Sequence, residues 1–335
     1  MTSPRVSILM SVRNEQQHLQ AALTSIFRQT LTDWELVVID DGSTDETPRI
    51  LQSAAKHDKR INVIRQEAIG LVPALVKGMS RCRSNLVARM DGDDICHPER
   101  LEKQVEFLRE NPDTALVATN IRHFPSQNVM GGMRHYEQWQ NSLVSYDEIM
   151  RNLFVESPFT QPSVMFRKDC VESVGGYRDP GWGEDYDLWL RLALAGHDLA
   201  RIPETLFFWR EHRDRLTHTA EEFSLDSFRR CKAHYLKQSY LKESDNVTLW
   251  GAGMEGKAWR KVLLEEGVVV SRWIEVDPGK IGQIIHGAPV AAPESLKPWG
   301  GPMLITIGAR GARDLVREKC DDLGLIEGSD FVCVT

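Results

Sequence analysis

The sequence predicts an α/β fold with a mostly parallel central sheet, followed by a smaller α/β unit near its carboxyl end. Apolar, β-branched runs alternate with helical stripes of apolar residues over the first hundred residues. The connections between these runs are short, which favours parallel strands covered by helices on both faces. The same alternation begins again near residue 247, so a second unit is expected there.

The composition is that of a globular protein with two domains. The 335 residues are 41% hydrophobic and 27% charged, and the formal net charge is −7. Nucleic-acid binding is not expected, because proteins that bind nucleic acid normally carry an excess of Lys and Arg. No apolar run reaches the ~18 residues that would span a bilayer, and the amino-terminal run is too short for a signal peptide. The six cysteines form no C-x-x-C pair, which predicts reduced thiols and a cytoplasmic protein.

The elements of the first half follow in order along the chain. Residues 71–82 read as a helix, and two further helices are marked by Pro48 and Pro98, each in a predicted first turn. An amphipathic stripe predicts an earlier helix around residues 19–27. Buried strands are predicted at 6–12, 36–39, 61–65, 85–91, 115–120 and 164–166.

The second half begins with a Gly- and Trp-rich loop at 177–183, which leads into a helix that stops at Gly196. A helix at 220–242 with basic and aromatic positions either bridges two domains or offers a basic face to an anionic surface. Further strands are predicted at 247–250, 271–277 and 302–309. The predicted domains are therefore 1–219, a connecting helix at 220–243, and 244–335.

Polar and acidic residues follow three of the predicted strands. They are Ser11 to Asn14, Asp40-Asp41, and Asp91-Gly92-Asp93-Asp94. Ligands of parallel sheets bind beyond the carboxyl ends of the strands, so these residues are expected to converge on one site. Because like charges so close together repel, the third group predicts a bound cation. A solvated acidic turn or a helix cap before Pro98 is the alternative.

Five segments resemble the inverting nucleotide-sugar glycosyltransferases of family 2, which have the GT-A fold. The resemblance covers residues 5 to about 215, with the segments in the family's order and approximate spacing. The segments are VSILMSVRNEQQHLQAALTSIFRQT, ELVVIDDGSTDET, ARMDGDDICHPERLEKQVEFL, QPSVMFRKD and GWGEDYDLWLRLALAGH. The resemblance implies a GT-A type, Rossmann-like nucleotide-sugar domain ahead of the smaller Rossmann-like α/β domain.

For the donor, the resemblance implies that Asp91-Gly92-Asp93 is a DxD motif. Asp91 then contacts the donor ribose, and Asp93 helps to hold Mg²⁺ or Mn²⁺ on the diphosphate. His212 belongs to an Arg-x-His segment near this metal. The remaining nucleotide-sugar contacts implied for this chain are Ser11, Arg13, Asn14, Glu15, Asp40, Asp41 and Arg89. One of Asp40 and Asp41 is expected to contact the donor's base, which the resemblance implies is uracil. The sequence leaves open which of the two makes this contact.

For the chemistry, Glu184-Asp185 resembles the family's ED motif. Asp185 is implied as the catalytic base, which removes a proton from the acceptor hydroxyl during an inverting attack. Glu184 either orients the acceptor or is a first-turn carboxylate. Relatives often have histidine where this chain has Gln161, so acceptor contacts are expected to differ there. The Gln-x-x-Arg-Trp motif of processive members is absent, which favours transfer of a single sugar.

The carboxyl-terminal unit carries a glycine loop of the dinucleotide-binding type. Gly251, Gly253 and Gly256 follow a predicted strand and open a helix, and Asp277 comes about twenty residues later. They predict a second nucleotide site, and the alternative is a retained fold used for packing, oligomerisation or docking.

Three functions remain open at this point. The first is a glycosyltransferase that extends a glycan or a lipid-linked acceptor for a surface polysaccharide, with a peripheral contact at the inner face of the membrane as an option. The others are an NAD-dependent oxidoreductase that uses the glycine loop, and a non-catalytic regulator that binds a nucleotide sugar. Loops at 121–160 and 177–183 are expected to select the substrates.

Overall fold

The fold is described by a computed structural model that covers residues 3–213, 215, 220–296, 300–309 and 311–335. The chain divides into two compact units. The first unit comprises Met1–Ile149, Pro158–Pro180 and Glu184–Thr219, and the second comprises Met150–Ser157, Gly181–Gly183 and Ala220–Thr335.

The elements up to residue 210 alternate strand and helix at first and then become less regular. They are β1 (Val6–Val12), α1 (Leu19–Phe27), β2 (Trp34–Asp41), α2 (Thr47–His57), β3 (Ile61–Gln66), α3 (Leu71–Met79), β4 (Leu86–Asp91), β5 (Ile95–Cys96), α4 (Arg100–Glu110), β6 (Thr114–Phe124), α5 (Gly131–Ser142), α6 (Tyr146–Arg151), β7 (Met165–Arg167), α7 (Lys168–Ser173), α8 (Glu184–Leu194) and β8 (Asp198–Arg210).

The sheet of the first unit has the order β3-β2-β1-β4-β7-β6-β8-β5. Strands β3, β2, β1 and β4 are parallel, β7 runs antiparallel to both of its neighbours, and β8 is parallel to β6. The prediction of a mostly parallel sheet is confirmed. In register, Val12 lies opposite Asp40 and Ser11 lies opposite Asp91. The carboxyl ends of β1, β2 and β4 therefore lie side by side, and all three carry polar or acidic residues. We call this side of the sheet, where the strands end, an edge.

The core of this unit forms because β1 and β2 are buried on both faces, as continuous apolar runs in parallel sheets usually are. Helix α1 adds Leu19, Leu23 and Ile26 to this core, and a fully buried side chain of this size contributes roughly 1.5–3 kcal/mol. Helix α3 lies close to the sheet at Gly78. A Cβ there would come within 2.3 Å of Leu9 Cδ1, so a larger residue would push α3 away from the sheet.

The second unit has its own parallel sheet, with the order β11-β12-β10-β9-β13-β14. Only β11 runs antiparallel to its neighbour among the described strands. Its elements are α9 (Leu225–Gln238), β9 (Asn246–Trp250), α10 (Met254–Glu265), β10 (Val269–Ile274), β11 (Ile284–Ile285), β12 (Ala288–Ala291), β13 (Met303–Ile305), α11 (Ala312–Asp322) and β14 (Phe331–Cys333). The smaller Rossmann-like unit is therefore present.

A short excursion of the chain, Met150–Ser157, belongs to this second unit. Phe154 packs against its hydrophobic core. The buried Lys232 of α9 donates from Nζ to the carbonyl oxygens of Val155 and Val334, at 2.8 and 3.1 Å. The predicted limits 1–219, 220–243 and 244–335 remain a prediction, but this excursion means that no single cut in the chain separates the two units.

Two stretches differ from what the sequence led us to expect. Residues 121–160, expected as loops, contain α5 and α6, and no element was predicted where the long strand β8 lies. Helix α5 begins with two glycines and has few buried residues, so its apolar pattern is weak. In β8 the apolar residues are interrupted by Pro203 and Glu204, which hides the strand pattern.

Helix α9 is shorter than the predicted 220–242. Its N-cap is Ser224, whose Oγ accepts from the backbone N–H of Ser227. Its basic side chains have acidic partners: Arg229 pairs with Glu255, Arg230 with Asp226, and Lys237 with Asp245. At these three positions the predicted basic face is therefore paired with acids, and contact with an anionic surface stays a prediction. No helix that the structure describes is both long and apolar enough to cross a membrane.

Candidate functional site

Three acidic residues lie together where β4 ends. Asp91, Asp93 and Asp94 each place a carboxylate oxygen within 4.8 Å of the others. The turn between them depends on Gly92, because a Cβ at this position would approach Val12 Cγ1 to 2.6 Å. The end of β4 can therefore lie against the end of β1 only with glycine here, which brings the acidic turn to the loop that follows β1.

Each acid of this cluster has a defined partner. Asp91 Oδ1 accepts from Arg89 Nη2 at 2.6 Å, and Asp93 Oδ2 lies 2.9 Å from His212 Nε2. The backbone N–H of Arg210 donates to Asp94 Oδ1 at 2.7 Å. The other oxygen of Asp94 is buried and has no hydrogen-bond partner among the described residues. This unpartnered oxygen is the observation that favours an additional positive group at the turn.

The electrostatics of the cluster point the same way. Burial raises the pKa of Asp94 well above its ordinary value, with the negative charges of Asp93 and Asp91 adding to the effect. Burial and the same two aspartates raise the pKa of Glu15 to about 8. Burial also acts on Asp93, but its hydrogen bond with His212 and the charge of Arg215 lower its pKa on balance. Hard divalent cations such as Mg²⁺ and Mn²⁺ bind oxygen ligands of this kind, so the residues fit such an ion.

The loops that follow β1 and β2 are joined to each other. Asn14 adopts a left-handed backbone conformation with φ of 57°. Its backbone N–H donates to Ser43 Oγ, and its side-chain oxygen accepts from the N–H of Thr44. The N–H of Glu15 donates to Thr47 Oγ1. Ser11 is half-buried and Arg13 is exposed, so the predicted nucleotide-contacting loop is present at this edge as one ordered piece.

The two aspartates at the end of β2 have different tasks in the structure. Asp41 accepts three hydrogen bonds, from the Gln66 side chain and from the N–H groups of Ile69 and Gly70, and so it shapes the loop before α3. Asp40 accepts from the N–H of Ser43 at 3.0 Å, and one of its oxygens lies 3.5 Å from Arg65 Nε. Asp40 therefore keeps more capacity to accept a hydrogen bond from a ligand.

Glu184 and Asp185 occupy the first turn of α8. The macrodipole of a helix stabilises negative charge in this turn. Burial raises the pKa of Asp185 to about 6, although hydrogen bonds from the N–H groups of the turn oppose the shift. Burial and the charge of Asp185 raise the pKa of Glu184 to about 8. A carboxylate with a pKa near 6 suits a general base at neutral pH.

Arg89 does not face the site as a free cation. Its side chain is fully buried, and Nη1 donates to the carbonyl oxygens of Leu9 and Met90. Nη2 donates to Asp91 and also to Gln161 Oε1 at 2.9 Å. The structure thus gives Arg89 the task of holding Asp91, where the sequence had suggested a direct contact with the nucleotide sugar.

Gln161 was read from the sequence only as an acceptor contact. In the structure its Nε2 donates to Glu184 Oε1 at 3.0 Å while its Oε1 accepts from Arg89. It therefore links the acidic turn after β4 with the first turn of α8.

The glycine loop of the second unit also lies at the carboxyl end of a parallel strand. Gly251 has φ of 116°, and a Cβ on Gly256 would meet the carbonyl oxygen of Gly251 at 1.9 Å. The acid that faces this loop is Glu275, whose Oε2 lies 3.3 Å from the N–H of Ala252. Asp277 instead accepts from the N–H of Gly279 in an exposed turn. Gly253 is the N-cap of α10, and a Cβ there would have open space around it. The acid predicted for this loop was Asp277, whereas the structure places Glu275 against it.

With this geometry established, comparison with known proteins gives a consistent result. The family model described as glycosyl transferase family 2 matches residues 7–175. The chain is similar to the amylovoran biosynthesis glycosyltransferase AmsE of Erwinia amylovora, with 34% identity over 203 residues, 60% of this chain and 74% of that protein. It is also similar to the UDP-Gal:alpha-D-GlcNAc-diphosphoundecaprenol beta-1,3-galactosyltransferase of Escherichia coli, with 26% identity over 73% of this chain and 88% of that protein.

Solved structures show the same fold. TarS of S. aureus, solved in complex with UDP-GlcNAc, matches with a TM-score of 0.54 and 15% identity, over 78% of this chain and 71% of that chain. The mannosyltransferase PcManGT of Pyrobaculum calidifontis, solved with GDP-Man and Mn²⁺, matches with a TM-score of 0.51 and 19% identity, over 80% of this chain and 70% of that chain. At these identities the likeness concerns the GT-A fold alone.

Proposed function

Since the chain belongs to glycosyl transferase family 2, we propose that it transfers a single sugar from a nucleoside-diphosphate sugar to a hydroxyl group of a glycan or lipid-linked acceptor, with inversion at the anomeric carbon. One observation carries the proposal: the acidic turn Asp91–Asp94 and the buried Glu184-Asp185 turn are joined through Arg89 and Gln161. A donor-binding group and a base of suitable pKa thereby belong to one hydrogen-bonded site.

We expect the donor to be a UDP-sugar. Two proteins similar to this chain are described with UDP-linked donors or ligands, the galactosyltransferase and TarS. Asp40, which keeps acceptor capacity, is the residue we assign to the N3–H of uracil. Ser11 at the end of β1, with the exposed Arg13 and Asn14 of the loop that follows, supplies the other contacts to the nucleotide.

Asp93 is the residue we assign to the metal, with His212 beside it and Asp91 directed to the donor ribose. A divalent cation bound here would neutralise the diphosphate as it leaves. Mg²⁺ and Mn²⁺ both suit carboxylate oxygens, and PcManGT is described with Mn²⁺. Arg210 holds the main chain of this turn, since its Nε donates to the carbonyl oxygen of Asp93.

Asp185 is the proposed general base. The acceptor hydroxyl oxygen forms its bond to the anomeric carbon while the bond from that carbon to the diphosphate oxygen breaks, and the hydroxyl proton passes to the Asp185 carboxylate. Attack opposite the leaving group inverts the anomeric configuration without a covalent sugar–enzyme intermediate. Glu184, held by Gln161, has its carboxylate fixed beside this base.

The biological setting we propose is the synthesis of a surface polysaccharide from a lipid-linked acceptor, as the descriptions of the two relatives suggest for those proteins. A cytoplasmic location is part of the proposal, and the six cysteines, all free thiols, support it. Association through the second unit, with another copy or at the inner face of the membrane, remains an expectation from the sequence.

A ligand panel tests the proposal against its alternatives. Thermal unfolding is followed with UDP-, GDP- and dTDP-sugars, with and without Mn²⁺, and with NAD(H), because a ligand stabilises the state that binds it. We expect a rise in Tm with a UDP-sugar that depends on Mn²⁺, and an inverted anomeric centre in the NMR spectrum of the transfer product. Binding of NAD(H) with hydride transfer would favour the oxidoreductase, and binding of a nucleotide sugar without turnover would favour the regulator.

A further inference from the structure

Gln161 lies in a single 3-10 turn, Gln161–Ser163, between α6 and β7, and its side chain is almost completely buried. The turn is fixed on both sides. The N–H of Ser163 donates to the carbonyl oxygen of Thr160, and the N–H of Val164 donates to that of Gln161. The Thr160 hydroxyl donates to the buried Gln140. The backbone of Gln161 therefore has little freedom, and its side chain extends from a rigid base.

The orientation of the Gln161 amide is determined by its two neighbours. Arg89 offers only donors, and it directs one of them at Gln161 Oε1. Glu184 Oε1 accepts from Gln161 Nε2. A flipped amide would place its NH₂ group against the guanidinium and its oxygen against the carboxyl group. Only one orientation satisfies both neighbours, so the Gln161 amide connects Arg89 and Glu184 in a fixed sense.

Glutamate, methionine and leucine cannot replace this pair of hydrogen bonds. Glutamate would add a carboxylate beside Glu184, while methionine or leucine would leave Glu184 without this donor. Burial and the charge of Asp185 already raise the pKa of Glu184 to about 8, and the hydrogen bond from Gln161 opposes that shift. The neutral amide thus stabilises the charged form of Glu184 without adding a charge of its own.

From this geometry we propose that Gln161 is a positioning residue for the transfer reaction. It sets the first turn of α8, and with it Glu184 and Asp185, relative to Arg89 and the Asp91 carboxylate that Arg89 holds. This inference rests on the proposed function, since it concerns the same site. It assigns Gln161 no contact with the acceptor.

The structure offers a matched control at Gln104, a second buried glutamine. Its Oε1 also accepts from a buried arginine, Arg100, at 3.1 Å. Its Nε2 donates only to the backbone carbonyl oxygens of Val117 and Ser163. Gln104 therefore supports the same 3-10 turn through Ser163, so Gln104→Met controls for loosening of that turn with the Gln161 amide left in place. Only Gln161→Met removes the link between Arg89 and Glu184.

The test compares kcat, the KM for the donor and Tm in these two variants and in Gln161→His, whose neutral ring offers one donor and one acceptor. Loss of a supporting hydrogen bond to a functional group typically costs about 10–100-fold, so we expect kcat of Gln161→Met to fall by that factor with the donor KM within about 2-fold. Gln104→Met should lower Tm and leave kcat within about 2-fold, and Gln161→His should recover most of the loss.

The inference is overturned if Gln161→Met keeps kcat within about 2-fold, or if it changes kcat only as much as Gln104→Met does. Should Gln161→Met fail to fold, Gln161→Glu carries the test, since it keeps the oxygen that faces Arg89 and loses the N–H that faces Glu184. Failure of the proposed function is a separate result, because the wild-type protein would then show no sugar transfer with any donor.

Discussion

Both units of the chain turn the carboxyl ends of parallel strands toward acidic side chains, but the acids have different surroundings in the two. In the first unit, Asp91, Asp93 and Asp94 share one turn, and a buried oxygen of Asp94 has no partner among the described residues. In the second unit, Glu255 accepts two hydrogen bonds from Arg229, and Glu275 lies 2.9 Å from Lys280 Nζ.

The two units differ in how fully their acids are paired with bases. In the first unit, burial and repulsion from the neighbouring aspartates raise the pKa values of Asp94 and Glu15. In the second unit, the hydrogen bond from Lys280 and those from nearby N–H groups lower the pKa of Glu275 despite its partial burial. Acids at strand ends alone therefore do not mark a ligand site, and the observation that sets the first unit apart is the buried, unpartnered oxygen of Asp94.

The largest expected effect separates the two edges directly. Asp93→Asn should lower the rate of sugar transfer by about 10³-fold, because several kcal/mol of metal-dependent stabilisation are lost and each 1.36 kcal/mol is a factor of ten. Glu255→Gln removes an acid of the second unit and should leave the rate within about 2-fold. Initial rates with a UDP-sugar and Mn²⁺ measure both. Equal losses in the two variants would remove the distinction between the edges.

The next largest effect concerns the base. Asp185→Asn should lower kcat by about 10²–10³-fold, a loss typical for a general base, while the affinity for UDP with Mn²⁺ stays within about 2-fold. Single-turnover rates and calorimetric titration measure the two quantities separately. A variant that loses both together would place Asp185 in donor binding instead.

The pH dependence of transfer should follow the same carboxylate. Burial raises the pKa of Asp185 to about 6, so kcat should rise with pH up to about 6 and then level off, because only the ionised form accepts the proton. A profile that stays flat from pH 5 to 8, measured with Mn²⁺ at saturation, would contradict the assignment.

The stability of the folded protein should fall with rising pH, whereas kcat rises. The folded protein binds more protons than the unfolded chain between the ordinary pKa of an aspartate and the raised value, so the free energy of unfolding falls as pH rises through that window. The penalty persists at pH 7.5, and Asp185→Asn removes it. Its Tm should exceed that of the wild type by roughly 2–4 °C, the shift that about 1 kcal/mol gives in a domain of this size. A Tm for Asp185→Asn below that of the wild type, measured by calorimetry, would show that the ionised Asp185 carboxylate does not destabilise the folded protein.

The smallest expected effect is in the second unit. Glu275→Gln should leave transfer within about 2-fold, and NAD(H) should shift Tm by less than about 1 °C, because Glu275 is already paired with Lys280 and held against the glycine loop. A large NAD-dependent shift in the wild type that disappears in this variant would make the glycine loop a second nucleotide site.

The strand-end acids could be predicted because their signal is local: an apolar run that ends in carboxylates needs no tertiary information to be recognised. Asp91, Asp93, Asp40 and Asp41 were found this way, and the parallel register then brought them to one edge. Asp277 and Glu275 show the limit of the method. They are two residues apart in a similar pattern, and only the end of β10 at Ile274 decides which acid reaches the glycine loop.

Residues whose role depends on contacts distant in sequence could not be predicted. The family resemblance implied a nucleotide-sugar contact for Arg89, but its side chain is buried by acceptors from β1, β4 and the turn at Gln161. The place of Met150–Ser157 in the second unit likewise depends on Lys232 and on the core around Phe154. Nothing in the local sequence of that segment indicates these partners.

We expect the acidic turn Asp91–Asp94 to bind the metal and the strand end at Glu275 not to bind it. Titration of Mn²⁺ in the presence of UDP, with free Mn²⁺ followed by electron paramagnetic resonance, tests it in the wild type, Asp93→Asn and Glu275→Gln. We expect one UDP-dependent Mn²⁺ site per chain. Its affinity for Mn²⁺ should fall by at least about 10-fold in Asp93→Asn and stay unchanged in Glu275→Gln. Unaltered Mn²⁺ binding in Asp93→Asn, or its loss in Glu275→Gln, would contradict this expectation.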